Sequence, residues 1–349
     1  MKRLVDRLAA ERALPRQDML ALLSCGDAET LEHLFARARQ AREAVYGRDV
    51  YIRGLIEFTN FCKNDCLYCG IRRSNARARR YRLSQEEILS CAEAGYQLGF
   101  RTVVLQGGED PYFTDERLCR IVRALKAARP DRAVTLSVGE RSRESYRALF
   151  EAGADRYLLR HETATKAHYE NLHPGDMSFD RRMACLASLK SIGFQTGCGF
   201  MVGSPGQTAE DLLNDLEFIA RFQPEMVGIG PFIPHRDTPL GMHPAGTVGM
   251  TLKLLAIIRL LVPDVLLPAT TALATLDAHG CEKGMLAGAN VVMPNLSPPA
   301  AREKYALYEG KATAAGETAD ALSDLRRRME NIGCRVVVAR GDHMGKPRK

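Results

Sequence analysis

From residue 50 onward, short runs of β-branched and apolar residues alternate with longer stretches whose apolar positions recur every three or four residues. The short runs predict eight strands: 50–58 (VYIRGLIEF), 102–106 (TVVLQ), 133–138 (AVTLSV), 155–160 (DRYLLR), 197–202 (GCGFMV), 226–231 (MVGIGP), 264–270 (DVLLPAT) and 290–294 (NVVMP). Helical periodicity fills the intervals at about 84–99, 115–129, 142–152, 165–191, 207–222, 248–262 and 275–287, and predicts a last helix over 317–332. Ahead of residue 50 the pattern predicts two or three helices, broken at Pro15 and at Cys25–Asp27, with Asp27 as an N-cap. Ser84 with Glu87 reads as a capping box, Thr208 or Gln207 opens another helix, and Gly99, Gly153, Gly193 and Gly288 read as helix ends.

Eight strand–helix alternations predict an α/β chain of parallel βαβ units, closed as a (β/α)8 TIM-type barrel with an N-terminal helical cap. The competing doubly wound open sheet lacks its G-x-G-x-x-G fingerprint after the first strand. The expected organisation is a helical extension over 1–46 and a barrel over 47–349 that includes a C-terminal helical segment.

In such a barrel the chemistry gathers at the C-terminal ends of the strands, and those ends are the polar parts of this chain. They read FTNFCKNDCLYCG, QGGED, SVGER, LRHETAT, GSPGQT, GPFIPHRDTPL, PATTA and MPNLSPP in order. The first holds Cys62, Cys66 and Cys69 in C-x3-C-x2-C spacing. Three thiolates are one short of a closed structural zinc site, and thiolates also select copper(I) or iron–sulfur clusters. A four-iron cluster on three cysteines leaves one iron open for a ligand. Phe61 and Tyr68 flank the cysteines and can exclude water. The seven other cysteines are scattered, several of them in helical patterns, as small apolar residues rather than a disulfide framework.

Composition adds limits. Hydrophobic residues are 46% of the chain, enough for a large core, but no apolar run approaches a membrane span. The charged N-terminus has no apolar signal core, so a cytoplasmic location is expected. The net charge of +7 is mostly spread over helices. One basic run, RRSNARARRYR at 72–82, reads either as a solvated loop or as a basic wall beside the cysteines. With no appended RNA-binding segment, neither nucleic acid nor membrane is an expected partner. Loop histidines such as His161, His173 and His235 are more often structural than ligands.

C-x3-C-x2-C with an aromatic residue before the last cysteine resembles the signature of the radical S-adenosylmethionine (SAM) superfamily. That resemblance implies one [4Fe-4S] cluster on Cys62, Cys66 and Cys69, and SAM as the partner of its open iron. It further implies that Gly107, Gly108 and Glu109 hold the SAM amino group, that Glu162 contacts SAM, and that Arg182 reaches the SAM carboxylate. Met201 and Pro231 match the segments near the adenine. Tyr68, Gln106, Thr135 and Met293 are assigned to the same cofactor surface.

From about residue 50 to 310 the stretches VLQGGEDPY, DRYLLRHETA, MVGIGPFIPHRDTPL, PATTA and VVMPN resemble the E-type maturases of [FeFe]-hydrogenases. The implied reaction acts on a small organometallic substrate, an iron–cysteine–carbonyl–cyanide complex. It leads toward the dithiomethylamine-bridged di-iron subcluster of the hydrogenase, the H-cluster. Partner maturases and an electron donor such as a ferredoxin or flavodoxin are implied as well. Arg160, Thr270, Thr271, Tyr305 and Tyr308 are the implied substrate contacts. Each has a plainer reading: a rim ion pair of Arg160 with Glu162, threonines filling the barrel mouth, tyrosines packing a helix. Some relatives hold a second cluster on three later cysteines. Those positions are Thr313, Ala321 and Asp324 here, so no second cluster is expected. The alternatives are methylornithine synthase-like and biotin synthase-like enzymes, the latter needing barrel cysteines for which only Cys198 stands ready. Outside enzymes, an electron carrier or a zinc-stabilised barrel would want a fourth cysteine nearby.

Overall fold

The computed structural model describes residues 1–311 and 319–345. Its strands are β1 (Asp49–Ile52), β2 (Gly54–Thr59), β3 (Thr102–Gly107), β4 (Ala133–Ser137), β5 (Arg156–Leu158), β6 (Gln195–Cys198), β7 (Met201–Val202), β8 (Met226–Val227), β9 (Gly230–Pro231), β10 (Val291–Val292) and β11 (Arg335–Val337). Six pair in parallel in the order β2-β3-β4-β5-β6-β8. Parallel bridges then close the ring from Met226 to Leu266, from Pro268 to Val291, and from Asn295 back to Leu55. The predicted parallel barrel is therefore the observed one. Its first stave is β1 and β2 run together: the Arg53 and Leu55 amides donate across the interruption to Val292 and Pro294, each at 2.9 Å.

Three local expectations are corrected. The run 264–270 forms no extended strand, only the bridges at Leu266 and Pro268. Pro268 has no N–H to donate, and Thr270 already caps the helix Thr271–Leu276. The single helix expected over 165–191 is two, Lys166–Leu172 and Phe179–Ile192. His173 is extended because Pro174 follows it, and the helix cannot pass that point. The helix expected over 275–287 is also two, Thr271–Leu276 and Gly280–Leu286, parted where the Asp277 carboxylate accepts from the His279 amide at 2.8 Å. The caps at Asp27, Ser84 and Thr208 form as expected.

Residues alternate along each stave between helix layer and lumen. Ile56, Phe58, Val103, Leu105, Val134 and Leu136 join the main core beneath the helices. Their neighbours Glu57, Thr102, Gln106, Thr135, Arg156 and Arg160 fall on the lumen side, which is unusually polar. The N-terminal helices bury Val5, Leu8, Leu22 and Leu34 in that same core: Lys2–Glu11 and Ala28–Tyr46 lie against the apolar helix Val248–Leu261, and Arg16–Ser24 against Ala209–Phe222.

The floor of the barrel is closed by a segment with no sequence signal. Strand β11 pairs in parallel with β1, and the chain after it crosses under the lumen. There Arg156 donates to Thr102 Oγ1 (3.0 Å), to the Arg340 carbonyl (2.9 Å) and to Asp342 Oδ1 (2.6 Å). Arg340 reaches Asp155 at 2.8 Å and Asp342 at 2.7 Å. Arg156 is fully buried, so its charge depends on Asp342.

We predict that Asp342→Ala costs about 3 kcal/mol at neutral pH, because it strands a buried cation. Burial works against the Asp342 charge, but Arg156 and Arg340 more than offset it and hold the carboxyl far below its usual range. Its contribution is thus full above the unfolded carboxylate pKa of about 4 and fades below it. Urea unfolding of both chains from pH 7 to pH 3 should show the gap shrinking with acid; a constant gap would contradict the assignment.

Candidate active site

The cysteine loop leaves β2 at Thr59 and is fastened on every side by backbone. Gly108 N donates to Thr59 O (3.1 Å), Lys63 N to Glu109 O (2.9 Å), Leu67 N to Leu172 O (3.0 Å) and Gly70 N to Leu307 O (2.8 Å). The approach at Gly108 admits no side chain: a Cβ there would lie 2.2 Å from Phe61 O and 2.9 Å from the Cys62 Cβ. Gly70 is equally confined, 2.2 Å from Ala306 O.

Side chains complete the fastening. Asp110, fully buried, accepts from Thr59 Oγ1 at 2.7 Å and from Arg82 through two nitrogens at 2.7 and 2.9 Å. Arg82 also stacks on Phe61, 3.9 Å from the ring centre. Arg72 holds Asp65 at 2.8 Å, and Arg80 donates to the carbonyls of Asn60, Ile71, Arg72 and Asn75. The basic run is therefore divided: Arg73, Arg77 and Arg79 are exposed, as a solvated loop would have them, and other arginines are engaged with the protein. Arg72, Arg80 and Arg82 brace the cysteine loop; Arg77 pairs with Asp237 at 2.7 Å.

Cys62, Cys66 and Cys69 are partly buried thiols on this loop. Burial raises all three above the usual thiol pKa, Cys69 to about 12, and neighbouring thiols add to the effect at Cys66 and Cys69. Bare thiolates are thus disfavoured here, and a positively charged partner would be needed to hold them ionised. Among the described residues, no three His, Cys, Asp or Glu side chains converge as ligands of a single metal ion.

Tyr68, between two of the cysteines, packs with Leu172, Met201 and Phe232. Its hydroxyl lies 3.4 Å from His173 Nε2. His173 Nδ1 donates to Tyr169 O at 2.9 Å, and burial pushes its pKa down to about 3, so the ring is neutral and can accept from Tyr68. Met201 and Pro231 lie on the β7–β9 ladder, with Phe200 bridged to Glu162 beside it.

Glu162 has a left-handed backbone, φ 66°, rare outside glycine. The other two such residues among those described, Arg12 and Gln223, merely end helices. Glu162 Oε2 lies 3.2 Å from Arg160 Nη2, yet the two are not aligned as a hydrogen bond. The expected rim ion pair is therefore real but loose. Buried atoms without a hydrogen-bond partner among the described residues include Thr135 Oγ1, Arg160 Nε and Nη2, Glu162 Oε2 and Thr270 Oγ1. Buried polar groups are nearly always satisfied in a finished structure. This set of donors and acceptors fits a polar small molecule such as SAM or its co-substrate.

Arg182 is more committed. Its guanidinium donates to Glu140 at 2.5 Å and to the Arg160 carbonyl at 2.7 Å. Glu109 accepts from the Glu140 amide at 2.9 Å and lies 3.2 Å from Lys63. Gln106 meets the buried Tyr305 hydroxyl, and Tyr308 bonds Thr275, its pKa raised by burial to about 12. Thr270, Thr271 and Met293 line a cavity of about 410 Å³ against the helix Ala319–Asn331. Of the second-cluster positions, Ala321 and Asp324 stand on that cavity wall, and Thr313 lies outside the described residues. Cys198 is fully buried in the helix layer, with Asp215 nearby, and does not serve the lumen.

Sequence reasoning missed Glu57 and Lys311. They form a buried ion pair above Tyr305, and Asn295 donates to Glu57 at 2.8 Å. A single acid at an inward position of an otherwise apolar strand was the available signal.

Comparisons with known proteins identify the family and the fold. Residues 56–219 match the model of the radical SAM superfamily. The chain is 48% identical to the [FeFe] hydrogenase maturase subunit HydE of Thermotoga maritima, over 86% of this chain and 85% of that one. It is 32% identical to the 3-methylornithine synthase of Methanosarcina acetivorans, over 85% and 83%. The crystal structure of methylornithine synthase PylB superposes with a TM-score of 0.82 at 28% identity, over 96% and 97% of the two chains.

Gly108→Ala should displace the cysteine loop at a cost of about 1–3 kcal/mol. The expected readouts are a lower melting temperature and less iron bound after anaerobic reconstitution. Unchanged iron binding would mean that the loop tolerates the intrusion.

Proposed function

Because the chain belongs to the radical SAM superfamily, and within it to the family of the hydrogenase maturase HydE, we propose that it acts on a small iron–cysteine–carbonyl–cyanide complex on the way to the dithiomethylamine-bridged di-iron subcluster of [FeFe]-hydrogenase. It is an enzyme of the radical SAM type, and that family implies a [4Fe-4S] cluster and SAM. The observation that carries the site assignment is the braced three-cysteine loop facing a lumen of unpartnered buried polar atoms. The 48% identity to HydE, against 32% to methylornithine synthase, favours maturation over the amino-acid rearrangement.

When bound, the cluster and SAM together supply a 5′-deoxyadenosyl radical by one-electron reductive cleavage. The chain's own residues do the rest. Cys62, Cys66 and Cys69 would hold three irons, leaving one for SAM. Gly107 and Gly108 let backbone approach closely, and Glu109 and Glu162 offer carboxylates to a cationic group. Tyr68, Met201 and Pro231 wall the site from water; Gln106, Thr135 and Met293 belong to the same cofactor surface in this reading. Arg182 acts through Glu140 and the Arg160 carbonyl, orienting the rim rather than standing free.

Arg160 Nε and Nη2 make no hydrogen bond among the described residues, Nη2 only facing Glu162 at 3.2 Å, and together they form a fork suited to a substrate carboxylate. Thr270 offers a hydroxyl with no hydrogen-bond partner among the described residues, with Thr271, Tyr305 and Tyr308 as the further substrate contacts. The buried Glu57–Lys311 pair pins the segment carrying both tyrosines to the first stave. The reading includes one cluster only, an acidic one-electron donor of the ferredoxin or flavodoxin kind, and exchange with partner maturases. No helix is long and apolar enough to cross a membrane among the described residues.

Reconstituted protein should hold about four irons per chain and, once reduced, form 5′-deoxyadenosine. Cys66→Ala should abolish both, and about eight irons would defeat the single-cluster assignment. Added to a maturation mixture lacking only this protein, the chain should restore hydrogenase activity; failure there with intact SAM cleavage would point to a relative's reaction. Arg160→Ala should weaken use of the complex by at least about tenfold, since it removes a buried charged fork. SAM cleavage without substrate should persist; equal loss of both would tie Arg160 to SAM instead.

A further inference from the structure

The left-handed backbone of Glu162 needs a cause, because a non-glycine residue relaxes out of that conformation unless its surroundings forbid it. The cause lies outside the barrel. His161 points into the helix layer, fully buried, with its ring centre 4.7 Å from that of Phe218 and 5.9 Å from that of Phe200. Its Nδ1 accepts from the Gly199 amide at 3.3 Å, and its Nε2 faces Asp215 Oδ1 at 3.2 Å. The same Asp215 oxygen accepts from the Ala164 amide at 2.6 Å. Asp215 stands on the helix Ala209–Phe222, whose Asn214 also bonds Thr165 at 2.9 Å. One helix thus grips the chain on both sides of Glu162. The Glu162 amide itself donates to Gly199 O at 3.0 Å, so Gly199 is bonded to both 161 and 162.

We propose that His161 and Asp215 are positioning residues: together they hold Glu162 in its strained conformation, with its carboxylate in the lumen, ready for a cationic ligand. The proposal rests on the reading that Glu162 contacts SAM. It assigns a role to a buried His–Asp pair that touches no substrate. Burial drives the His161 pKa down to about 3 and lifts that of the Asp215 carboxyl. A neutral imidazole has one N–H and one bare nitrogen, which matches donation to Asp215 and acceptance from Gly199. Asp215 Oδ2 has no partner among the described residues, so an amide NH2 in its place would sacrifice no bond.

The test is SAM affinity of the anaerobically reconstituted full chain, by equilibrium dialysis, together with its melting temperature. His161→Phe keeps the ring packing and removes both bonds; SAM affinity should fall about tenfold, as is usual when an outer partner of a binding group is lost. Asp215→Asn, which keeps Oδ1, should bind SAM like the unaltered chain, whereas Asp215→Leu should weaken it as His161→Phe does. Glu162→Gln is the reference. If it weakens SAM binding while stably folded His161→Phe and Asp215→Leu do not, the positioning role is overturned and the Glu162 contact stands. If Glu162→Gln leaves SAM affinity unchanged, both readings fall. Should His161→Phe fold poorly, Asp215→Leu against Asp215→Asn decides: equal affinity in those two overturns the proposal.

Discussion

The site depends on two loops touching backbone to backbone. Where the loop after the first stave meets the loop after the second, Gly108 lies against Phe61 and Cys62 with no room for a single methyl group. Thr59, Asp110 and Arg82 lock the junction from the flank. The spacing of the three cysteines is a property of sequence, but the course of the loop that carries them is set by this contact. Remove the close approach, and the thiols would remain on one loop with no fixed seat against the second stave.

Above that junction the lumen carries a cost. Folding leaves Thr135, Arg160, Glu162 and Thr270 with buried atoms unanswered, and leaves Glu162 in a backbone region it would not choose. Each such group costs on the order of 1–3 kcal/mol. The deficit is offset elsewhere, by a continuous apolar core that runs from the N-terminal helices to the helix Val248–Leu261. It also sits where a ligand can relieve it. Preorganisation here means that the polar groups are dry and fixed before anything binds.

Much of this was legible in the chain, for identifiable reasons. Strands such as 102–106 and 133–138 announce themselves because they are short, buried runs rich in β-branched and apolar residues, with the polar positions confined to the lumen side. The cysteine loop is legible because its ligands are adjacent in sequence. What escaped is long-range or subtractive. Pro268 thinned the seventh stave to two bridges, a loss that hydrophobicity does not register. Pro174 cut a helix whose periodicity continues across it. Glu57 and Lys311 are 254 residues apart and carry no local mark of their pairing. The basic run misled because charge count cannot tell a solvated arginine from one that spends its donors on carbonyls, as Arg80 does.

The strand β11 has a consequence for how the molecule is made. Its partner β1 lies 286 residues earlier in the chain. During synthesis the first stave must therefore wait, its lower edge open, until nearly every other stave has been translated. Contacts of such sequence separation form late and slow the overall reaction. An open edge on a waiting strand invites pairing with the wrong partner. The short length of β1 and the charge of Asp49 at its start limit that hazard until Arg335 arrives to neutralise it. The barrel is thus sealed from below by the last part of it to appear.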